Sequence, residues 1–192
     1  MATWAEMLES VQTWTNRPDL AMEMEMALRQ AIRTAHRFAK FSKDIATVQV
    51  ATVQEPIQQI DMETVLPRFK QISYIKSGTL DKYYSEAVAQ ELLDYEGYAL
   101  QNVYWNIGTT LNIRSDSPEE SYEIAYYLQP ITAPPDAIQD WLLRDYSDVV
   151  VLLAVGTILG MIGEQEIKSR ADAMLALEVS GLIADNTEIT GR

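Results

Sequence analysis

Carboxylates are the only catalytic residue type this sequence offers in number, 28 Asp and Glu against 15 Lys and Arg. Three groupings stand out: Asp61 with Glu63, Asp116 with Glu119 and Glu120, and Asp145 with Asp148. Oxygen-only sets of this kind suit magnesium or calcium. None has the ligand spacing of a dedicated metal loop, and acidic loops are ordinarily just solvated, so no metal site and no cofactor are expected. His36 is the only histidine. One imidazole could serve a Ser-His-Asp site, but a multi-histidine metal centre is excluded. His36 stands among Arg33, Arg37 and Lys40, where a solvated or helix-packed ring is the better reading. With no cysteine, thiol catalysis, Cys-ligated zinc, iron–sulfur clusters and disulfides are all excluded, which fits a reducing cytoplasm. Gly156, Gly160 and Gly163 lie in an apolar run with no following Lys-Ser/Thr, so a phosphate loop fails. No G-x-S-x-G or H-E-x-x-H is present. No catalytic residue is assigned, and the chain is not expected to be an enzyme.

The formal charge of −13 repels nucleic acid unless cations cluster. The nearest cluster, Arg29, Arg33, Arg37, Lys40 and Lys43, reads as the solvated face of a helix. An acidic surface can still line a path along which DNA slides without adhering. No basic segment followed by an apolar run opens the chain, so no signal peptide is expected. Val149 to Ile162 is the most apolar stretch, but its 14 residues fall short of the roughly 20 that span a bilayer. It is expected to be a buried core helix, and no membrane partner is assigned. Of ten tyrosines and four tryptophans, many lie in the middle of the chain: Tyr74, Tyr83, Tyr84, Tyr95, Tyr98, Tyr104, Trp105, Tyr122, Tyr126 and Tyr127. Some must fill a core; the type is also favoured at protein–protein interfaces.

Several elements follow from periodicity. Trp4, Met7, Leu8 and Val11 predict a short amphipathic helix over 4–14. Thr15-Asn16 is expected to cap a second helix from Pro18 to Phe41, with Leu20, Met24, Ala27, Leu28, Ala31, Ile32, Ala35 and Phe38 as its stripe. Met22, Met24 and Met26 alternate and cannot all face one way. Part of this methionine surface is therefore available to another subunit, although flexible core filling is the commoner use. Strands are expected over 45–53, 57–61, 69–76 and 122–128, with a hairpin 103–107/110–114 turning at Gly108. In 69–76, Ile72 and Tyr74 should face one way and Ser73 and Ile75 the other. Residues 82–93 read as a short helix.

Near the other end, Asp136 is expected to cap a helix carrying Ile138, Trp141 and Leu142. Asp148 should cap the apolar helix from Val149 to about Met161, where Gly156 and Gly160 allow close packing. An amphipathic helix over 164–182, with Ile167, Ala171, Met174, Leu175 and Val179 on one side, should end at Gly181. Ala184 to Arg192 have no helical stripe and should be disordered alone. The expected fold is therefore α+β: a helical bundle built from both chain ends (1–44 and 134–183), a β-rich lobe inserted between them (45–133), and an extended C-terminal tail (184–192).

Local patterns carry a resemblance. Thr15-Asn16-Arg17-Pro18-Asp19-Leu20, Ala27-Leu28-Arg29 and Ala35-His36, then Ile60-Asp61, Leu66-Pro67-Arg68-Phe69 and Tyr74-Ile75-Lys76, resemble head-to-tail adaptor (connector) proteins of tailed bacteriophages. Tyr126-Tyr127-Leu128-Gln129-Pro130, Asp140-Trp141-Leu142 and Asp145-Tyr146 continue it, so that it spans about residues 12 to 165. The resemblance implies a structural virion protein of the neck between head and tail, made in the host cytoplasm. It implies a homo-oligomeric, dodecameric ring below the portal that continues the DNA channel, with DNA passing through the lumen without sequence-specific binding. It further implies that the portal protein is met by the tail Ala184, Asp185, Asn186, Thr187, Glu188, Ile189, Thr190, Gly191 and Arg192. The β-rich lobe would face a tail or nozzle protein. Other neck proteins, of head-closure or tail-terminator type, are the nearest alternatives. Outside the structural class stand a carboxylate-rich magnesium-dependent enzyme and an acidic regulator of a partner protein.

Overall fold

Thr3 starts the first helix. Its hydroxyl accepts from the Glu6 backbone N–H at 3.2 Å, and the Glu6 carboxylate accepts from the Thr3 N–H at 2.6 Å, a reciprocal capping box. Helix α1 (Trp4–Thr15) ends at Asn16, whose left-handed φ of 50° is one that Asn tolerates at a helix C-cap. The computed structural model describes residues 2–51, 57–78, 82–87, 102–115, 121–134 and 139–187. The chain divides into two units, Met1–Lys43 with Pro130–Arg192, and Asp44–Gln129.

In the first unit, the second helix is shorter than its apolar stripe predicts. Pro18–Leu20 is a 3₁₀ turn, and α2 runs Ala21–Ala35. Beyond Ala35 the N–H groups of Arg37 and Phe38 bond back three residues, to Thr34 and Ala35, so the chain tightens and leaves the helix. Met24 is buried, whereas Met22 and Met26 are 74% and 65% exposed.

Helix α4 (Trp141–Asp145) is capped by Asp140, not by Asp136, which lies outside the described residues with Ile138. Helix α5 (Ser147–Ile162) has no side-chain cap; Asp148 sits in its first turn, where the helix dipole favours a negative charge. Val149, Val150, Ala154, Val155, Ile158 and Leu159 of α5 are completely buried, which makes it the centre of this unit's core. Each large aliphatic side chain so placed contributes about 1.5–3 kcal/mol. Gly163, at φ 81°, ends α5.

Helix α6 (Gln165–Thr187) continues through Gly181, because the next turns bury Leu182 and Asn186. Met174 is 46% exposed and does not join the buried stripe. A Cβ on Gly156 would come within 3.2 Å of the Asp172 carboxylate, so α6 covers that face of α5.

The second unit holds seven strands: β1 (Ile45–Ala51), β2 (Ile57–Asp61), β3 (Phe69–Ser77), β4 (Tyr83–Glu86), β5 (Val103–Ile107), β6 (Thr110–Arg114) and β7 (Ser121–Leu128). They form one sheet in the order β1-β7-β3-β4-β5-β6-β2. All pairings are antiparallel except β4 with β5, so the sheet is mixed. Gly108, at φ 59°, opens the two-residue β5–β6 turn, the position where a type II′ hairpin places glycine.

The register of β3 against β7 shifts between Ile72 and Tyr74. This bulge breaks strict alternation, so Ile72 and Ile75 are both buried in one cluster with Ile124, Leu111 and Ile113. Tyr84, Tyr104, Tyr122 and Tyr126 are buried there too, so much of the aromatic content is core. Tyr83–Glu86 is strand where a helix was expected, and residues 88–93 lie outside the described residues.

The α+β class stands, but a bundle made from both chain ends around a β-rich insertion does not describe the molecule. The strands build a curled, mixed half-barrel sheet, and among the described residues there are six helices that are not simply gathered at the two ends. One of them, α3 (Met62–Val65), lies between β2 and β3 and is capped by Asp61. The local pattern missed it because a single turn is too short for a periodic stripe.

Candidate functional site

Ala184, Asp185, Asn186 and Thr187 form the last turn of α6, so this part of the expected tail is helical. Glu188 to Arg192 lie outside the described residues. Ala184 and Asp185 are exposed. Asn186 is buried and donates through Nδ2 to the Leu182 carbonyl at 2.9 Å. The Tyr146 hydroxyl donates to Asp185 Oδ2 at 2.7 Å. Asp185 accordingly pushes the Tyr146 phenol up to about 12, with desolvation adding to the shift.

The residues around Tyr146 fix its ring. Tyr146 and Trp141 meet edge to face at 6.1 Å, and Trp141 meets Phe41 in the same way at 5.3 Å. Lys43 Nζ sits 5.0 Å from the Trp141 ring centre and 2.9 Å from Asp145 Oδ2. Asp145 also accepts from Arg144 Nε at 2.8 Å. The Arg144 and Lys43 hydrogen bonds hold the Asp145 carboxyl far below the usual carboxylate range.

His36 is helix-packed, not solvated. Its Nε2 is hydrogen-bonded to Asp140 Oδ1 at 2.9 Å, with both side chains buried. Trp141 lies edge-on to the imidazole at 5.7 Å. Asp140 Oδ1 also accepts from the Leu142 N–H at 3.0 Å. The arrangement positions α4; it is not laid out as a nucleophile and base.

The other carboxylate groupings have structural partners as well. Asp61 accepts from the Glu63 N–H at 3.1 Å and from the Thr64 hydroxyl at 2.6 Å. Asp116, Glu119 and Glu120 lie outside the described residues. Among the described residues, no group of three or more His, Cys, Asp or Glu could hold a metal ion, and no helix is long and apolar enough to cross a membrane.

Two further surfaces stand out, the first of which includes Met26 of the methionine surface that the sequence makes available to another subunit. One is a groove of about 510 Å³ between α2 and α5, whose lining includes Glu23, Met26, Arg29, Arg33, Thr157 and Met161. The other is the outer face of α6, where Ala173, Met174, Ala176, Leu177, Ser180, Gly181 and Ala184 are exposed. A signal for the second was present: residues 173–184 carry more apolar side chains than one buried stripe can use.

These features describe an acidic two-unit α+β protein whose chemistry-bearing residues serve its fold and whose unspent surface is apolar and helical. The sequence profile of the SU10 adaptor protein family matches residues 2–184. The chain belongs to that family, in agreement with its resemblance to phage head-to-tail adaptors, and is thereby a phage adaptor and virion component. A comparison with curated proteins finds no significant match.

Proposed function

We infer that this chain is a structural subunit of the virion neck, a head-to-tail adaptor that acts by assembly alone and catalyses no reaction. Copies form a ring, dodecameric as the resemblance implies, below the portal. The ring continues the DNA channel and joins the portal to the tail. The family match over residues 2–184 carries this reading. The charge of −13 per chain supports it physically, because an acidic lumen passes DNA without retaining it. A lumen that proved neutral or basic would count against this part.

Residues 184–192 are the proposed portal contact, and loops of the strand-bearing unit the contact for a tail or nozzle protein. Segments that order on binding can wrap a partner's surface. The α6 geometry sharpens the test. Asp185 and Asn186 hold the last helical turn, so removing 184–192 damages the fold as well as the contact. Removing only 188–192 leaves that turn intact. Binding to purified portal rings is measured for the full chain and for both deletions. The full chain is expected to bind, and the 188–192 deletion to bind at least about ten-fold more weakly. Equal binding by that deletion discards the tail contact, and no binding by the full chain discards the adaptor reading.

A further inference from the structure

We propose that the outer face of α6 in one copy docks head to tail into the α2–α5 groove of the next copy, with Leu177 as the inserted side chain. The proposal rests on the adaptor reading in requiring copies to associate, and goes beyond it in naming the two faces.

Helix α6 changes character along its length. Its first turns are laced by the pairs Lys168–Asp172 and Arg170–Glu166, the usual dress of a solvated helix. From Ala173 to Asn186 the exposed positions hold Ala, Met, Leu, Ser and Gly, with Glu178 and Asp185 the only charges. Leu177 is 74% exposed. The buried side of α6, through Ala171 and Leu182, faces its own core, so Met174 and Leu177 on the outer side stay exposed among the described residues.

The groove is a counterpart in shape and charge. Met26 and Met161, two-thirds exposed, give it adaptable apolar walls. Its charged lining is Arg29 and Arg33 against Glu23, a net excess of one cation in a chain of strongly negative charge. Residues 173–187 carry Glu178 and Asp185 with no cation. Arg29 is held by Glu25, yet its Nε is buried with no hydrogen-bond partner among the described residues. A buried donor of this kind is costly until an acceptor arrives, and Glu178, next to Leu177, brings one.

The two faces are different surfaces of one unit, so their contact is heterologous. Repeated, such a contact closes into a ring or runs on as a filament, whereas a two-fold contact stops at a dimer. The ring that the adaptor reading requires therefore favours head-to-tail pairing of copies over two-fold pairing.

Because the chain has no cysteine, disulfide trapping is clean. Met26→Cys and Leu177→Cys are oxidised separately, mixed, and combined in one chain, both free and bound to portal rings, with thermal unfolding confirming the fold. The mixture is expected to give a cross-linked dimer that neither variant gives alone, and the double variant a ladder. Leu177→Asp is expected to weaken self-association more than about ten-fold without lowering the unfolding temperature. A cross-linked homodimer from one variant alone overturns the head-to-tail pairing. Portal binding without any ladder overturns these faces and leaves the adaptor reading intact. A ladder without portal binding upholds the faces and removes the adaptor reading.

Discussion

His36 and Asp140 lie 104 positions apart and meet at 2.9 Å in the core of the helical unit, with side chains 2% and 3% exposed. The contact ties the residue just after α2 to the residue just before α4. The same Asp140 oxygen caps α4, so one carboxylate meets two needs. Burying a carboxylate is costly unless it is paired and hydrogen-bonded, and here both conditions are met.

Asp140→Ala is therefore expected to cost about 3–5 kcal/mol, since it strips the cap and removes the carboxylate from the buried His36 Nε2. Asp140→Asn keeps a cap oxygen and should cost clearly less. Urea unfolding at neutral pH measures both. Equal losses would show that a neutral cap oxygen contributes nothing and that the carboxylate charge carries the effect.

Tyr146 gives a prediction on the alkaline side. Its folded pKa is raised to about 12 from an ordinary value of about 10. The folded chain then keeps a proton that the unfolded chain loses. The contribution is full below about pH 10 and is lost as pH climbs through 12. Wild-type stability should fall more steeply over that window than that of Tyr146→Phe. Parallel curves would remove the Asp185 contact as its cause.

Asp145 gives the acid counterpart. Arg144 and Lys43 depress its folded pKa, so its contribution is present above the unfolded value of about 3.9 and is lost as pH falls below it. Asp145→Asn should flatten the acid limb of the stability profile. An unchanged limb would place the acid sensitivity on other carboxylates.

The bulge in β3 is tested by size reduction. Ile75→Ala and Ile72→Ala should each cost about 2–5 kcal/mol, because the two side chains flank the register shift and are both buried in one cluster. Strict alternation would bury only one of them and leave the other nearly free to change. Denaturant unfolding of the two variants separates the cases.

Much of the local structure was legible in advance. The β5–β6 hairpin, β2 and the α5 core helix follow from Gly108, from short β-rich runs and from an apolar stretch with no polar face. Each depends on neighbours in sequence, which is what periodicity reports. The same limit explains the misses. Residues 83–86 carry helix-like spacing, yet pair with β3 and β5 as a strand, and α6 runs past Gly181 because Leu182 and Asn186 find a core.

The candidate site was legible only as composition. From the sequence alone come the −13 charge, the missing cysteines, the single histidine and the order of motifs that marks the adaptor family. The tertiary structure decided that Asp185 and Asn186 belong to a helix, that His36 is buried against Asp140, and that β1 pairs with β7 across more than seventy residues of chain to complete a half-barrel. It also decided which methionines and leucines face outward. Charge and motif order are properties of the chain itself. Burial and long-range pairing exist only once distant segments exclude water from one another, and no local pattern reports which segments will meet.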